Sequence, residues 1–98
     1  MNTLLLLVTY KLKQNTRSVF LDEIHNSGIV ESIKQEAGFL RYDYYPDLKD
    51  GNTLLLVEEW ATEECQQKHL QAPHMNKLKE LKELYVLDTS VKKYCSKI

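Results

Sequence analysis

Two leucine-rich runs constrain the fold of this chain more than any other feature. Residues 4–8 read LLLLV and residues 54–57 read LLLV. Successive side chains of a β-strand point to opposite faces, so each run places apolar side chains on both faces of a sheet. Strands of that kind are typical of the centre of a sheet whose two faces are both covered. We therefore predict that these runs form the two central strands.

The rest of the chain supplies the other elements of a small α+β protein. Strands are predicted at 3–13, 39–45, 53–60 and 86–94, with helical spacing of apolar residues in the two longer intervals. Asn15 or Thr16, and Thr62, are the candidate helix N-caps. The NSG sequence at 26–28 is expected to interrupt the first helix, and Pro73 is expected to break the second and to begin its continuation.

The resulting order, βαββαβ, is that of a ferredoxin-like sandwich with a four-stranded antiparallel sheet. At 98 residues the chain is expected to form one domain, 1–98. In the first strand, Leu4, Leu6 and Val8 point to one face and Leu5 and Leu7 to the other, and two helices cover only one face of such a sheet, which leaves the other open. The same face of a second copy, related by a two-fold axis, is the simplest cover for that apolar patch. We predict a homodimer; the alternative is an overlong leucine run with one face modestly exposed.

Charge and cysteine content exclude several classes of function. The formal net charge is -1, which favours neither nucleic acid nor an anionic membrane as a partner. Cys65 and Cys95 show no CxxC spacing, and a small secreted scaffold would need more cysteines. The run at 4–8 lacks the basic flank of a signal peptide and is too short to span a bilayer. These features predict a cytoplasmic protein with reduced thiols.

The sequence HLQAPHM at 69–75 contains two candidate functional histidines. His69 and His74 are five positions apart, about 140° on a helix, so they would not share a helix face. Cys65 and His69 do share one, but two ligands do not complete a zinc site, and we predict no metal. The structural alternatives are a histidine at a helix C-terminus, a histidine bonding a loop and, for Trp60, a core aromatic.

Three segments together resemble the antibiotic biosynthesis monooxygenase (ABM) domain family. VEEW at 57–60 and HLQAPHM at 69–75 are similar to the family's E-x-W and H-x-x-x-P-H motifs, and QEAGFLRYDYYPDL at 35–48 is similar to its E-x-G-x-x-x-Y-D-Y segment. The resemblance covers nearly the whole chain and implies a dimeric α+β barrel. The family includes cofactor-independent monooxygenases of aromatic polyketides, quinol oxidases, haem-degrading enzymes and an autoinducer-2 phosphate isomerase.

The resemblance also implies roles for particular residues. A histidine suits the role of base near neutral pH, and aromatic side chains can stack on a flat substrate. Glu58 and Trp60 are two apart on a strand and therefore share a face. We expect His69 and Glu58 to be catalytic and no cofactor to be needed; the expected substrate-binding residues are Trp60, Tyr42, Tyr44 and His74.

The expected activity is that of a cofactor-independent monooxygenase of a small aromatic, quinol or polyketide-like substrate. One alternative is a cofactor-free isomerase of a small hydroxy-ketone, in which the same histidine transfers protons and oxygen is irrelevant. Another is a non-catalytic dimer that binds a small ligand. The haem-degrading branch carries an asparagine in the first strand, where this chain has Val8, Thr9 and Tyr10, so haem degradation is disfavoured.

Overall fold

The structure, a computed structural model, describes residues 2–97 and confirms the α+β fold. Its elements follow the predicted order, with each of the two helical segments divided in two. They are β1 (Asn2–Leu12), α1 (Arg17–Ser27), α2 (Ile29–Lys34), β2 (Phe39–Pro46), β3 (Thr53–Trp60), α3 (Glu63–Leu70), α4 (Met75–Tyr85) and β4 (Val86–Lys97).

The four strands form one antiparallel sheet in the order β2-β3-β1-β4. The two leucine-rich strands, β1 and β3, are therefore the central pair, as predicted. Their register places Leu6 opposite Glu58 and Leu4 opposite Trp60. Because side chains alternate, these four residues lie on one face of the sheet, and the intervening residues lie on the other.

The helices cover one face of this sheet and form the main core with it. Along β1, every second side chain from Leu4 to Leu12 is buried, and Leu54, Leu56 and Trp60 of β3 are buried beside them. The opposite face is also apolar: Leu5, Leu7 and Leu55 are half-buried. In the folded chain, both central strands thus carry apolar side chains on both faces of the sheet.

The helix interruptions have local causes. Gly28 has φ 76°, a left-handed conformation that ends α1 and allows α2 to begin at the next residue. Thr16 occupies the N-cap position of α1, but its hydroxyl donates to the carbonyl of Lys13 instead of capping the helix. Pro73 separates α3 from α4, although it precedes the N-cap His74 and does not occupy the first helical turn as predicted. Within residues 2–97, no helix is long and apolar enough to cross a membrane.

Candidate functional site

Helix α3 carries His69 back over the end of the strand that contains Trp60. Thr62 caps the helix by accepting a hydrogen bond from the backbone N–H of Cys65, at 3.1 Å. Seven residues after Thr62, in the last turn of the helix, His69 is only 1% exposed. Its ring lies 4.5 Å from the Trp60 ring, centre to centre. The strand-to-helix return therefore brings both motif residues together.

A carboxylate that the sequence analysis did not select holds both histidines. Glu36 lies just after α2, and its carboxylate is 3.0 and 3.1 Å from Nδ1 of His69. One of its oxygens is also 2.8 Å from Nε2 of His74. A carboxylate only accepts hydrogen bonds, so Nδ1 of His69 and Nε2 of His74 are the donors. In a neutral His69 ring whose proton is on Nδ1, Nε2 is an acceptor. Glu36 is the first residue of the E-x-G segment, which was the available signal for it.

Glu58 faces the other edge of the His69 ring. One of its carboxylate oxygens accepts a hydrogen bond from the indole N–H of Trp60, at 3.1 Å, and lies 3.7 Å from Nε2 of His69. The second distance is too long for a hydrogen bond. Burial raises the pKa of Glu58, while the Trp60 hydrogen bond and the nearby His69 oppose that shift. His69 is thus placed between two carboxylates, one bonded and one close.

Glu58 and His69 line a cavity of about 290 Å³ between the sheet, α3 and α4. The cavity wall is mostly apolar, and Tyr42 contributes to it with its ring 5.9 Å from that of His69. Trp60 and His74 contact the histidine–carboxylate network but do not line the cavity. The remaining wall residues are Leu6, Val8, Tyr10, Gln66, Leu70, Met75, Leu78, Lys82, Thr89, Val91 and Lys93.

Tyr44 is separated from this cavity. It shares a sheet face with Tyr42, and the two rings are 5.7 Å apart, edge to face. Tyr44 instead lines a different depression of about 390 Å³, beside Leu21 and His25 of α1. Burial raises the pKa of both tyrosines, so both phenols are neutral near physiological pH. Of the expected substrate-binding residues, only Tyr42 reaches the cavity beside His69.

The described part of the chain contains no group of three His, Cys, Asp or Glu side chains arranged to hold a metal ion. Cys65, which shares the helix face of His69, points elsewhere. A Cβ added at Gly38 would lie 2.7 Å from the Cβ of Cys65, so these two residues are in close contact. The two carboxylates around His69 are instead engaged by neighbouring side chains, Glu36 by both histidines and Glu58 by the indole N–H of Trp60.

Together, the fold and the site define a ferredoxin-like α+β protein with a buried histidine–carboxylate network beside a small apolar cavity. The sequence profile of the family described as "Antibiotic biosynthesis monooxygenase" matches residues 3–81. The chain belongs to the antibiotic biosynthesis monooxygenase family.

Solved structures share the fold at low sequence identity. A Pseudomonas aeruginosa protein aligns with a TM-score of 0.85 and 18% identity, covering 100% of this chain and 97% of its own. A conserved protein from Methanosarcina mazei aligns with a TM-score of 0.84 and 20% identity, covering 96% and 92%. A structure described as an antibiotic biosynthesis monooxygenase aligns with a TM-score of 0.80 and 24% identity, covering 93% and 95%. No curated protein shows a significant sequence match to this chain.

Proposed function

We propose that this protein is a cofactor-independent monooxygenase of a small aromatic, quinol or polyketide-like substrate. The observation that carries the proposal is the setting of His69 at the wall of an apolar cavity. Its Nδ1 is anchored by Glu36, and its Nε2 is turned toward Glu58. This arrangement supplies an oriented base at the wall of a mostly apolar cavity, as proton abstraction from a weakly acidic substrate requires.

The proposed reaction needs no electrons from the protein. His69 removes a proton from an activated ring CH₂ or from the corresponding phenol, and the resulting anion passes one electron to O₂. The radical pair joins through a new C–O bond to give a peroxide, which the imidazolium protonates. Loss of water then leaves a carbonyl, so that CH₂ and O₂ become C=O and H₂O. Glu58 orients the substrate hydroxyl, and Tyr42 provides a ring face or edge for packing.

Oxygen consumption tests this proposal directly. The purified protein is incubated with a panel of quinols and hydroxylated aromatics, and O₂ uptake and product are measured together. We expect one atom of ¹⁸O₂ in the product and loss of uptake in His69→Ala, but not in His25→Ala. His25 is an exposed histidine on α1 and serves as the matched control. Turnover that continues without oxygen would favour the hydroxy-ketone isomerase, and binding without turnover would favour the non-catalytic dimer.

We also propose that the protein is a homodimer assembled through the open face of the sheet. Leu5, Leu7 and Leu55 lie half-buried on that face. Val57 lies on the same face and is only 7% exposed in the single chain. An apolar patch of this kind is typical of an interface. A cytoplasmic location is part of the same proposal, supported by two cysteines that are both free.

A further inference from the structure

The cavity beside His69 is lined by groups of opposite charge that differ in exposure. The buried groups are Glu58, which is 7% exposed, and His69, which is 1% exposed. Lys82 of α4 is half-buried, and Lys93 of β4 is exposed; both line the same cavity. A ligand that fills it would therefore meet an acid–base pair among the buried wall residues and ammonium groups among the more exposed ones.

The direction of Lys93 follows from the register of β4. Lys93 pairs with Leu6, and Val91 pairs with Val8, so both β4 side chains lie on the same face of the sheet as the cavity. With Thr89 they form the outer wall of the cavity. The next residue, Lys92, pairs with Leu7 and lies on the opposite face. The chain therefore contains a neighbouring lysine that differs from Lys93 mainly in which face it occupies.

The two lysines are available to a ligand. Among the ion pairs within residues 2–97, neither Lys82 nor Lys93 takes part, whereas Lys68 and Lys77 are each paired with a glutamate on their own helix. The Lys82 ammonium instead lies 5.7 Å from the centre of the Tyr10 ring. Burial lowers the pKa of Lys82, although attraction to Glu58 opposes the shift. An anion beside it would offset that cost of burial.

We propose that the cavity takes a one- or two-ring aromatic ligand bearing an anionic substituent, with the anionic group at Lys82 and Lys93 and the ring between Tyr42 and Met75. The ring hydroxyl then faces Glu58 and His69. A volume of about 290 Å³ is at the lower end of ligand pockets, roughly 300–1,000 Å³, which excludes larger polyketides. Repulsion by Glu58 fixes the orientation, since the reversed ligand would place two negative charges together.

This inference rests on the proposed function because it names the substrate class of the same site. Titration calorimetry compares hydroxynaphthoate, hydroxynaphthyl phosphate and uncharged naphthol, all of which carry a ring hydroxyl. We expect at least one anionic ligand to bind about tenfold more tightly than naphthol, and the tighter of the two identifies a carboxylate or a phosphate. Lys82→Gln and Lys93→Gln should each reduce this preference several-fold, through weaker binding of the anion.

Two matched variants control for overall charge. Lys79→Gln is on the same helix as Lys82 but outside the cavity lining, and Lys92→Gln is on the opposite face of β4. Both should retain the full preference. Equal binding of naphthol and both anions, absence of binding by all three, or an equal loss in the control variants would overturn the inference. Oxygen uptake with an uncharged quinol but no anion preference would support the proposed function and contradict this inference. Anion-selective binding without oxygen uptake would support this inference and contradict the proposed function.

Discussion

His69 has two kinds of contact, and its replacement therefore has two effects. Its imidazole lines the cavity, but it is also buried against Trp60 and bonded to Glu36. We expect His69→Ala to lower substrate turnover about 10²-fold or more, the usual contribution of a placed general base. Because the ring is buried, the free energy of unfolding should also fall, by about 1–3 kcal/mol. Oxygen uptake and urea unfolding measure the two effects.

His74→Ala is the comparison for that prediction. The His74 side chain is 25% exposed, and its removal breaks a single contact, the one with Glu36. We expect a stability loss of about 1 kcal/mol and an activity loss well below that of His69→Ala. If both variants lost activity in proportion to their loss of stability, the histidines would be structural, and His69 would not be the base.

Glu36 is expected to act as a positioning residue. Glu36→Gln keeps the shape of the side chain but removes the charge that both histidine contacts use. A hydrogen bond to a charged group contributes about 1.5–3 kcal/mol, so kcat should fall about tenfold or more. KM should change little, because Glu36 does not line the cavity. The exposed Glu31→Gln on α2 is the control; an unchanged kcat in Glu36→Gln would contradict the role.

Glu58 predicts a specific dependence of stability on pH. Because burial raises its pKa, the native state holds a proton that the unfolded state has released, and stability falls as pH rises from the usual glutamate range through the raised value. Glu58→Gln keeps an acceptor for Trp60 and removes this penalty. The variant should therefore melt above the wild type at pH ~8, with the difference vanishing below pH ~4. A lower Tm for the variant at pH ~8 would show that the His69 contact outweighs burial.

At the scale of the elements, two glycines in the same backbone conformation have different surroundings. Gly28 has φ +76° with open space around it, whereas Gly38 has φ +78° and faces Cys65 of α3. Gly28→Ala should cost about 1–2 kcal/mol, the penalty for a left-handed residue. Gly38→Ala adds overlap with Cys65 and should cost about 1–3 kcal/mol more. Equal urea midpoints would show that α3 moves freely away from Gly38.

The elements themselves were predictable because their signals are local. Alternation, glycine and proline positions and the Thr62 cap each act within a few residues of the chain. The predicted limits of β3 coincide with the observed strand, Thr53–Trp60. The prediction that Pro73 begins the next helix was wrong. Proline stops a helix, but its neighbours decide where the next helix begins. His74 and Pro73 are in the connecting turn, and α4 begins at Met75.

At the scale of the whole molecule, two adjacent leucines are expected to have different roles, one in folding of the chain and the other in assembly of the dimer. Leu6 is 2% exposed beneath the helices, whereas Leu5 is half-buried on the open face. Leu6→Glu should prevent folding of the single chain, since a charge would be buried without a partner. Leu5→Glu should leave a folded chain that sediments as a monomer, while the wild type sediments at about twice the chain mass. A monomeric wild type at micromolar concentration would refute the dimer.

The sequence by itself determined the order of strands and helices along the chain and the identity of the central strands, because the period of apolar residues is a property of neighbouring positions. It also placed VEEW at the end of a strand and HLQAPHM at the break of the helical segment that follows, and the return of that segment over the sheet brings Trp60 and His69 together. Only the tertiary structure decided that Glu36 binds His69, a residue 33 positions away, that Tyr44 is remote from the cavity, and that Lys82 and Lys93 share it. These contacts join separate elements through their packing, and no local pattern in the chain encodes that packing.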